Sequence, residues 1–215
     1  MYKKKSLFIT FEGIEGSGKS YQSTKLHNNL KKKNILAILT REPGGTKSAE
    51  KIRKLILEDY FYPDAKEKFN KNTDTLLYLA ARSEHIENKL RPAIYKKKII
   101  ICDRFIDSTM AYQVYGKGVN KNLVNSIHKY ILGNIKPDLT FILKVNIAKA
   151  LQRLKGRKIK NRYDKFSKNF YIRAQNAFIK IAKKNKKKYF VLDNSKDSNV
   201  IEKIILRKIL SKLGK

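Results

Sequence analysis

The sequence predicts an α/β fold in one domain, with a parallel sheet covered by helices on both faces. Three observations predict it. Five short apolar runs alternate with longer helix-patterned stretches. Those runs are almost continuously apolar, as strands buried on both faces must be. The 215 residues carry no internal repeat, Pro-rich linker or composition break, and 41% hydrophobic residues suffice for one core.

Taken in order, Leu7 to Phe11 is the first strand. It runs into Gly13-Ile14-Glu15-Gly16-Ser17-Gly18-Lys19-Ser20, the phosphate-loop pattern G-x-x-x-x-G-K-[ST], and then into a helix over about 18–33. The second strand, Ile35 to Leu39, stops at Thr40-Arg41-Glu42-Pro43-Gly44-Gly45-Thr46, where Pro and two Gly break the pattern and Thr46 can cap a helix over 46–58. A long helical stretch covers 66–95, with Leu76, Leu77, Ala80, Ala81 and Ile86 on one face. The third strand, Ile99 to Cys102, leads into Asp103-Arg104. Helices over 121–133, 147–156, 165–185 and 198–212 frame the fourth and fifth strands, Leu139 to Val145 and Tyr189 to Leu192. The lysine-rich 155–162 stretch between two helical patterns reads as a mobile loop.

Composition sets further bounds. The lone Cys102 has no disulfide partner and no metal-ligand neighbour, which suits a reducing compartment. The N-terminal apolar segment of about six residues is too short for a signal peptide or a membrane span, so a cytoplasmic protein without a membrane partner is expected. The net charge of +32 admits two readings: a surface for nucleic-acid phosphates, or solvated lysine faces of a composition-biased genome. Forty of the 50 basic residues are lysines spread in runs beside Asn and Ile, which favours the second, and no specific nucleic-acid partner is expected.

The chemistry concentrates at strand ends. In the loop, glycines let the backbone close around a β-phosphate, Lys19 can neutralise β- and γ-oxygens, and the Ser20 hydroxyl is a candidate Mg²⁺ ligand. Asp103, ending the third strand, stands where a second carboxylate linked to Mg²⁺ belongs, and Arg104 beside it can fork onto another phosphate. No guanine-reading N-K-x-D pattern is present. Arg53, two turns into its helix, can reach the same crevice or remain solvated.

As a set these residues resemble the thymidylate kinase family over nearly the whole chain: the loop with its internal Glu15, Thr40 to Thr46, Tyr78-Leu79-Ala80-Ala81-Arg82, and Asp103-Arg104-Phe105-Ile106-Asp107-Ser108-Thr109-Met110-Ala111-Tyr112-Gln113 occur in the family's order. The resemblance implies the P-loop nucleoside monophosphate kinase fold, a five-stranded parallel sheet wrapped by helices, usually as a homodimer. It implies transfer from ATP with Mg²⁺ to dTMP, a step in dTTP synthesis. Gly13 to Ser20 would hold ATP, with Lys19, Glu15 and Arg104 catalytic. The dTMP site would comprise Glu15, Glu42, Pro43, Arg53, Tyr78, Arg82, Arg104, Ser108, Thr109, Tyr112 and Gln113. Tyr78 matches the ring stacked on thymine, Arg82 the arginine at the base edge, and Tyr112 the ring that crowds the 2′ position. Without the resemblance, Tyr78 reads as core packing.

Two departures stand out. Val114 and Tyr115 follow Tyr112-Gln113 where many relatives have Gly, implying a stiffer or differently shaped loop, and Thr109 replaces an asparagine found in some members. Gly16 occupies the place of a loop arginine found in one branch. Arg153, Arg157 and Arg162 resemble the basic lid of the other branch, so a mobile lid is expected at about 153–164, with Arg157 contacting the transferring phosphate. A solvated lysine-rich loop is the alternative reading, but three arginines within ten positions are more than a chain with ten arginines supplies by composition.

Overall fold

A computed structural model describes residues 6–58, 68–156, 162–195 and 198–214. Among them five parallel strands form one sheet: β1 (Phe8–Glu12), β2 (Ala37–Arg41), β3 (Ile99–Asp103), β4 (Leu139–Lys144) and β5 (Tyr189–Asp193), in the order β2-β3-β1-β4-β5. Every strand expected from the sequence forms within two residues of its predicted bounds. The register sets Phe11 beside Asp103 on one side and beside Phe141 on the other. The carboxyl ends of β1 and β3 therefore finish level, and the chain order reverses around β1. That is where an open α/β sheet forms its crevice.

Helices cover both faces: α1 (Lys19–Lys32), α2 (Lys47–Glu58), α3 (Lys71–His85), α4 (Arg91–Tyr95), α5 (Ile106–Thr109), α6 (Lys121–Leu132), α7 (Ile147–Lys155), α8 (Lys168–Lys183) and α9 (Ser198–Lys212). One apolar layer, with Phe11, Leu26, Leu30, Phe141 and Ile205, lies under α1 and α9. Two more lie on the opposite face, one around Phe8, Leu90 and Phe105 and one around Ile142, Tyr171 and Phe178.

The stretch expected as one helix over 66–95 starts at Lys71, capped by Asn70 Oδ1, which accepts from Asn72 N and Thr73 N at 2.9 and 3.0 Å. It continues through a π-helical segment, Ile86–Leu90, into α4. Residues 66 and 67 lie outside the described residues. Thr46 caps α2 as expected, accepting from Ala49 N at 3.2 Å.

One helical segment is invisible in the sequence pattern: α5 and the π-helical Met110–Gly116 that follows it. Its buried face includes Asp107, Thr109, Tyr112 and Gln113. A helix whose inward face is polar because it lines a pocket gives no apolar 3.6-residue signal. Val114 and Tyr115 lie within this helical run and not in a loop.

Candidate active site

The phosphate loop follows β1 and delivers Lys19 and Ser20 to the first turn of α1. Gly18 has φ +90°, and a Cβ there would sit 2.3 Å from Asn194 Nδ2; Gly16 has φ +72°, and a Cβ there would meet Ala150 O at 2.6 Å. An arginine at position 16 would be strained in backbone and would have to displace the Ala150 carbonyl. Lys19 Nζ donates to Ile14 O at 2.6 Å, and burial, then Arg104, hold its pKa down to about 8.

Ser20 Oγ donates to Asp103 Oδ2 at 2.5 Å, while Asp103 Oδ1 is buried with no hydrogen-bond partner. A hydroxyl and a carboxylate with an unused buried oxygen form a donor set of hard oxygens suited to Mg²⁺, which binds proteins through one or two such ligands and completes its shell with phosphates and water.

Glu15 and Arg104 join this loop to a second pocket. Arg104 NH1 donates to Gly13 O and to Ser108 Oγ, both at 2.9 Å, and NH2 donates to Glu15 Oε1. Glu15 Oε2 accepts from the Tyr112 hydroxyl. Burial opposes ionisation of Glu15, but Arg104, Lys19 and Tyr112 outweigh it and hold the carboxyl below its ordinary range. Burial raises the Tyr112 hydroxyl, with Glu15 adding to it, so Tyr112 stays neutral and donating.

The second pocket is bounded by Pro43, Tyr78, Arg82, Phe105, Tyr112 and Tyr163, with Glu42, Ser108, Thr109 and Gln113 completing the wall. Next to it, Glu15, Lys19, Ser20, Arg41, Arg53 and Asp103 line a more polar cleft that shares Glu42, Pro43, Arg104 and Tyr163 with the first. The two spaces join through the four residues they share.

Arg82 is more committed than its sequence position indicates. Nε donates to Glu42 Oε2 at 2.7 Å, NH1 to Thr109 Oγ1 at 2.9 Å and to His128 Nε2 at 2.5 Å, and NH2 to Phe105 O at 3.0 Å. Four of its five N–H groups are thus used within the protein. Since arginine cannot accept, His128 Nε2 carries the lone pair; burial, then Arg82, lower its pKa to about 3. Glu42 is shared with His85, whose Nδ1 lies 2.8 Å from Oε1 and whose Nε2 lies 2.7 Å from Thr40 Oγ1. Arg53 NH1 donates to Pro43 O at 2.8 Å from α2.

The lid arginines part company. Arg153 donates to Gly16 O at 2.8 Å and to Asn194 O at 3.3 Å, beside the loop as expected. Arg162 does not face the loop. It is buried with NH1 on Asp74 Oδ1 at 2.5 Å and on Ile56 O at 2.8 Å, because the carboxylate on α3 outcompetes solvent for it. Arg157, the candidate for the transferring phosphate, lies outside the described residues, as do 158–161.

Sequence reasoning missed Tyr163, whose ring stands edge-on to Tyr112 with centroids 5.8 Å apart and whose hydroxyl bonds that of Tyr78. It also missed His128, Arg41 and Phe105. Tyr163 has no signal in isolation, since it follows a basic stretch and precedes one more helix.

Comparison with known proteins agrees with this geometry. The family model described as thymidylate kinase matches residues 11–205. Curated relatives named thymidylate kinase include one from Wolbachia of Culex pipiens, 41% identical over 213 residues and covering 96% of this chain and 97% of that protein. Another, from Halothermothrix orenii, is 37% identical over 208 residues, covering 95% and 97%. The crystal structure of thymidylate kinase from Ehrlichia chaffeensis superposes with a TM-score of 0.74 at 33% identity, covering 95% of this chain and 99% of that one. With the phosphate loop, the Asp103-Arg104 strand end and an aromatic-lined pocket beside them, the chain belongs to the thymidylate kinase family.

Proposed function

We propose that the protein transfers the γ-phosphoryl group of ATP to dTMP, giving dTDP and ADP on the route to dTTP, and that it does so by positioning and charge neutralisation alone. The observation that carries this reading is the continuity of the two pockets through the Glu15–Arg104 pair. A donor phosphate on Gly13 to Ser20 and an acceptor phosphate under Arg104 and Arg53 would meet at that pair.

Near neutral pH a phosphate monoester is already mostly dianionic, with a second pKa of about 6, so its oxygen attacks without a general base. The chain's own groups then have three tasks. Lys19 and the loop amides face the β- and γ-oxygens, Arg104 and Arg53 neutralise and aim the acceptor phosphate, and Tyr78, Arg82, Thr109, Gln113 and Tyr112 hold the nucleoside. Ser20 and Asp103 would hold Mg²⁺, which would supply positive charge against the donor phosphates. Tyr112 beside Glu15 crowds the sugar and favours the deoxyribose form.

A homodimer is supported by half-exposed Leu55, Leu76 and Leu123 on α2, α3 and α6, since α2 and α6 both pack on α3. Among the described residues no helix is long and apolar enough to cross a membrane. We read the whole chain as one domain; of the lid expected at about 153–164, residues 157–161 lie outside the described ones.

The test is a coupled ADP-release assay across the common nucleoside monophosphates. Strong stimulation by dTMP, with the purine monophosphates and CMP at least tenfold weaker in kcat/KM, is expected. Preference for another monophosphate would overturn the acceptor assignment. Salt-sensitive DNA binding without dTMP-dependent ADP release would overturn the kinase reading.

A further inference from the structure

β1 is apolar at Phe8, Ile9 and Phe11 and ends in a carboxylate, Glu12, with no exposure to solvent. A buried carboxylate is costly unless its oxygens are used. Glu12 lines neither pocket, and the transfer described above gives it no task. Its two oxygens instead reach across the sheet to the turn that follows β3. Oε1 accepts from Phe105 N at 2.7 Å, and Oε2 accepts from Ser108 Oγ at 2.6 Å.

Between those two anchors stands Arg104, one of the few non-glycine residues at positive φ, +72°. A side-chain-bearing residue stays in that region only when its surroundings over-determine it, and such residues cluster at functional sites. Here Arg104 N donates to Phe11 O at 2.9 Å, Cys102 Sγ donates to Arg104 O at 3.0 Å, and Glu12 takes the next amide. The same Ser108 Oγ that donates to Glu12 accepts from Arg104 NH1. Glu12 thus controls Arg104 twice: its backbone through Phe105 N and its guanidinium through Ser108.

We propose that Glu12 is a positioning residue for acceptor binding. It locks the left-handed turn at Arg104 and, through Ser108, aims the guanidinium at the acceptor phosphate without touching it. This rests on Arg104 being the acceptor-phosphate clamp.

Three variants and one control test it, with KM for dTMP and for ATP measured separately. Glu12→Gln keeps an acceptor for Phe105 N and offers an amide N–H to Ser108 Oγ, so its KM for dTMP stays within threefold of wild type. Glu12→Asp is one methylene short and cannot span both partners; its KM for dTMP rises fivefold or more while its KM for ATP stays within twofold. Glu12→Ala raises the KM for dTMP at least as much, and if it does not fold, the Asp and Gln variants decide the matter. A Glu12→Asp KM for dTMP within twofold of wild type, an equal rise in both KM values, or a Glu12→Gln variant as impaired as Glu12→Asp would each overturn the inference. The control is Arg104→Ala. If it raises the KM for dTMP and Glu12→Asp does not, only the role of Glu12 falls; if Arg104→Ala leaves it unchanged, the clamp reading falls and the inference with it.

Discussion

Arg82 donates from Nε to Glu42 Oε2 across 2.7 Å, and both side chains are only 3% exposed. Burial opposes the charge on Glu42, but Arg82 and then His85 hold its carboxyl below the ordinary range, so the pair is ionised in the fold. Breaking such a pair strands one buried charge, which costs about 3–5 kcal/mol. Arg82→Ala and Glu42→Gln should therefore both lower the denaturant midpoint, Arg82→Ala more, and Arg82→Ala should also raise the KM for dTMP. A stability loss under about 1 kcal/mol for Arg82→Ala would show that the network does not anchor the pocket wall.

Lys19 gives a pH signature. Its pKa of about 8 is set by burial and by Arg104, and the protonated form is the one that neutralises phosphate. With dTMP saturating, kcat/KM for ATP reports the enzyme with its donor site empty and should fall about tenfold between pH 7 and pH 9. At saturating ATP the bound phosphates keep Lys19 charged, so kcat should fall less. Lys19→Ala should keep its fold and lose about 10²–10³ in kcat. A flat kcat/KM profile to pH 9 would contradict the assignment.

Tyr112 separates two tasks, packing by its ring and donation by its hydroxyl to Glu15. Tyr112→Phe keeps the ring and should retain discrimination against ribothymidine monophosphate while lowering kcat through a less well-held Glu15. Tyr112→Ala should relax that discrimination. Competition assays with the two nucleotides decide, and unchanged selectivity in the alanine variant would assign the 2′ position to another residue.

Much of this was legible in the sequence because it is written in local patterns. Each strand is a short apolar run, and the phosphate loop is contiguous from Gly13 to Ser20. The residues of the aromatic-lined pocket were legible only through resemblance, since Tyr78 occupies a buried helical position that chain pattern alone assigns to the core. What stayed hidden depends on long-range contact. His128 lies 46 residues from Arg82 in sequence and Tyr163 lies 85 from Tyr78, and nothing local marks either. Arg162 was misread for the same reason: its neighbours in sequence are lid-like, whereas its partner, Asp74, lies 88 residues away on α3.

His128 predicts an acid limb in stability. Its pKa falls from 6.5 to about 3 through burial and the facing Arg82. The unfolded chain thus binds a proton that the folded state refuses between those values. Stability from this group is complete above pH 6.5 and is lost as pH falls toward 3, by up to about 1.4 kcal/mol per pH unit. Glu12 acts oppositely. Burial, then Asp107, raise its pKa to about 8, so its penalty grows from pH 4.5 to 8. The clean measurement is therefore the difference between wild type and His128→Gln, unfolded in urea from pH 4 to 7.5. That difference should shrink as pH falls, and a constant difference would mean that His128 does not titrate on unfolding in this range.

The arginines at 153, 157 and 162 should give three different kinetic profiles, because two of them have distinct partners in the fold. Arg153 ties Gly16 O to Asn194 O at the outer edge of the phosphate loop, so Arg153→Ala should loosen the donor side and raise the KM for ATP several-fold, with the KM for dTMP unchanged. Arg162 is buried on Asp74, which Lys117 also contacts at 2.6 Å, and it immediately precedes Tyr163, which lines the pocket with Tyr78 and Tyr112. Arg162→Ala should lower stability on the order of 3 kcal/mol and raise the KM for dTMP, with a small effect on the KM for ATP. Arg157 lies outside the described residues and is the one of the three we propose for the phosphoryl group in transit, in a chain where a Cβ at Gly16 would meet Ala150 O at 2.6 Å. A planar guanidinium matches an equatorial phosphoryl oxygen pair better than an ammonium does, and a contact made mainly in the transition state changes kcat more than either KM. Arg157→Ala should therefore lower kcat by roughly 10²-fold with both KM values within a few-fold of wild type. Steady-state kinetics on the three single variants distinguish these profiles, and kcat within threefold of wild type for Arg157→Ala would place the missing donor-side charge on another residue.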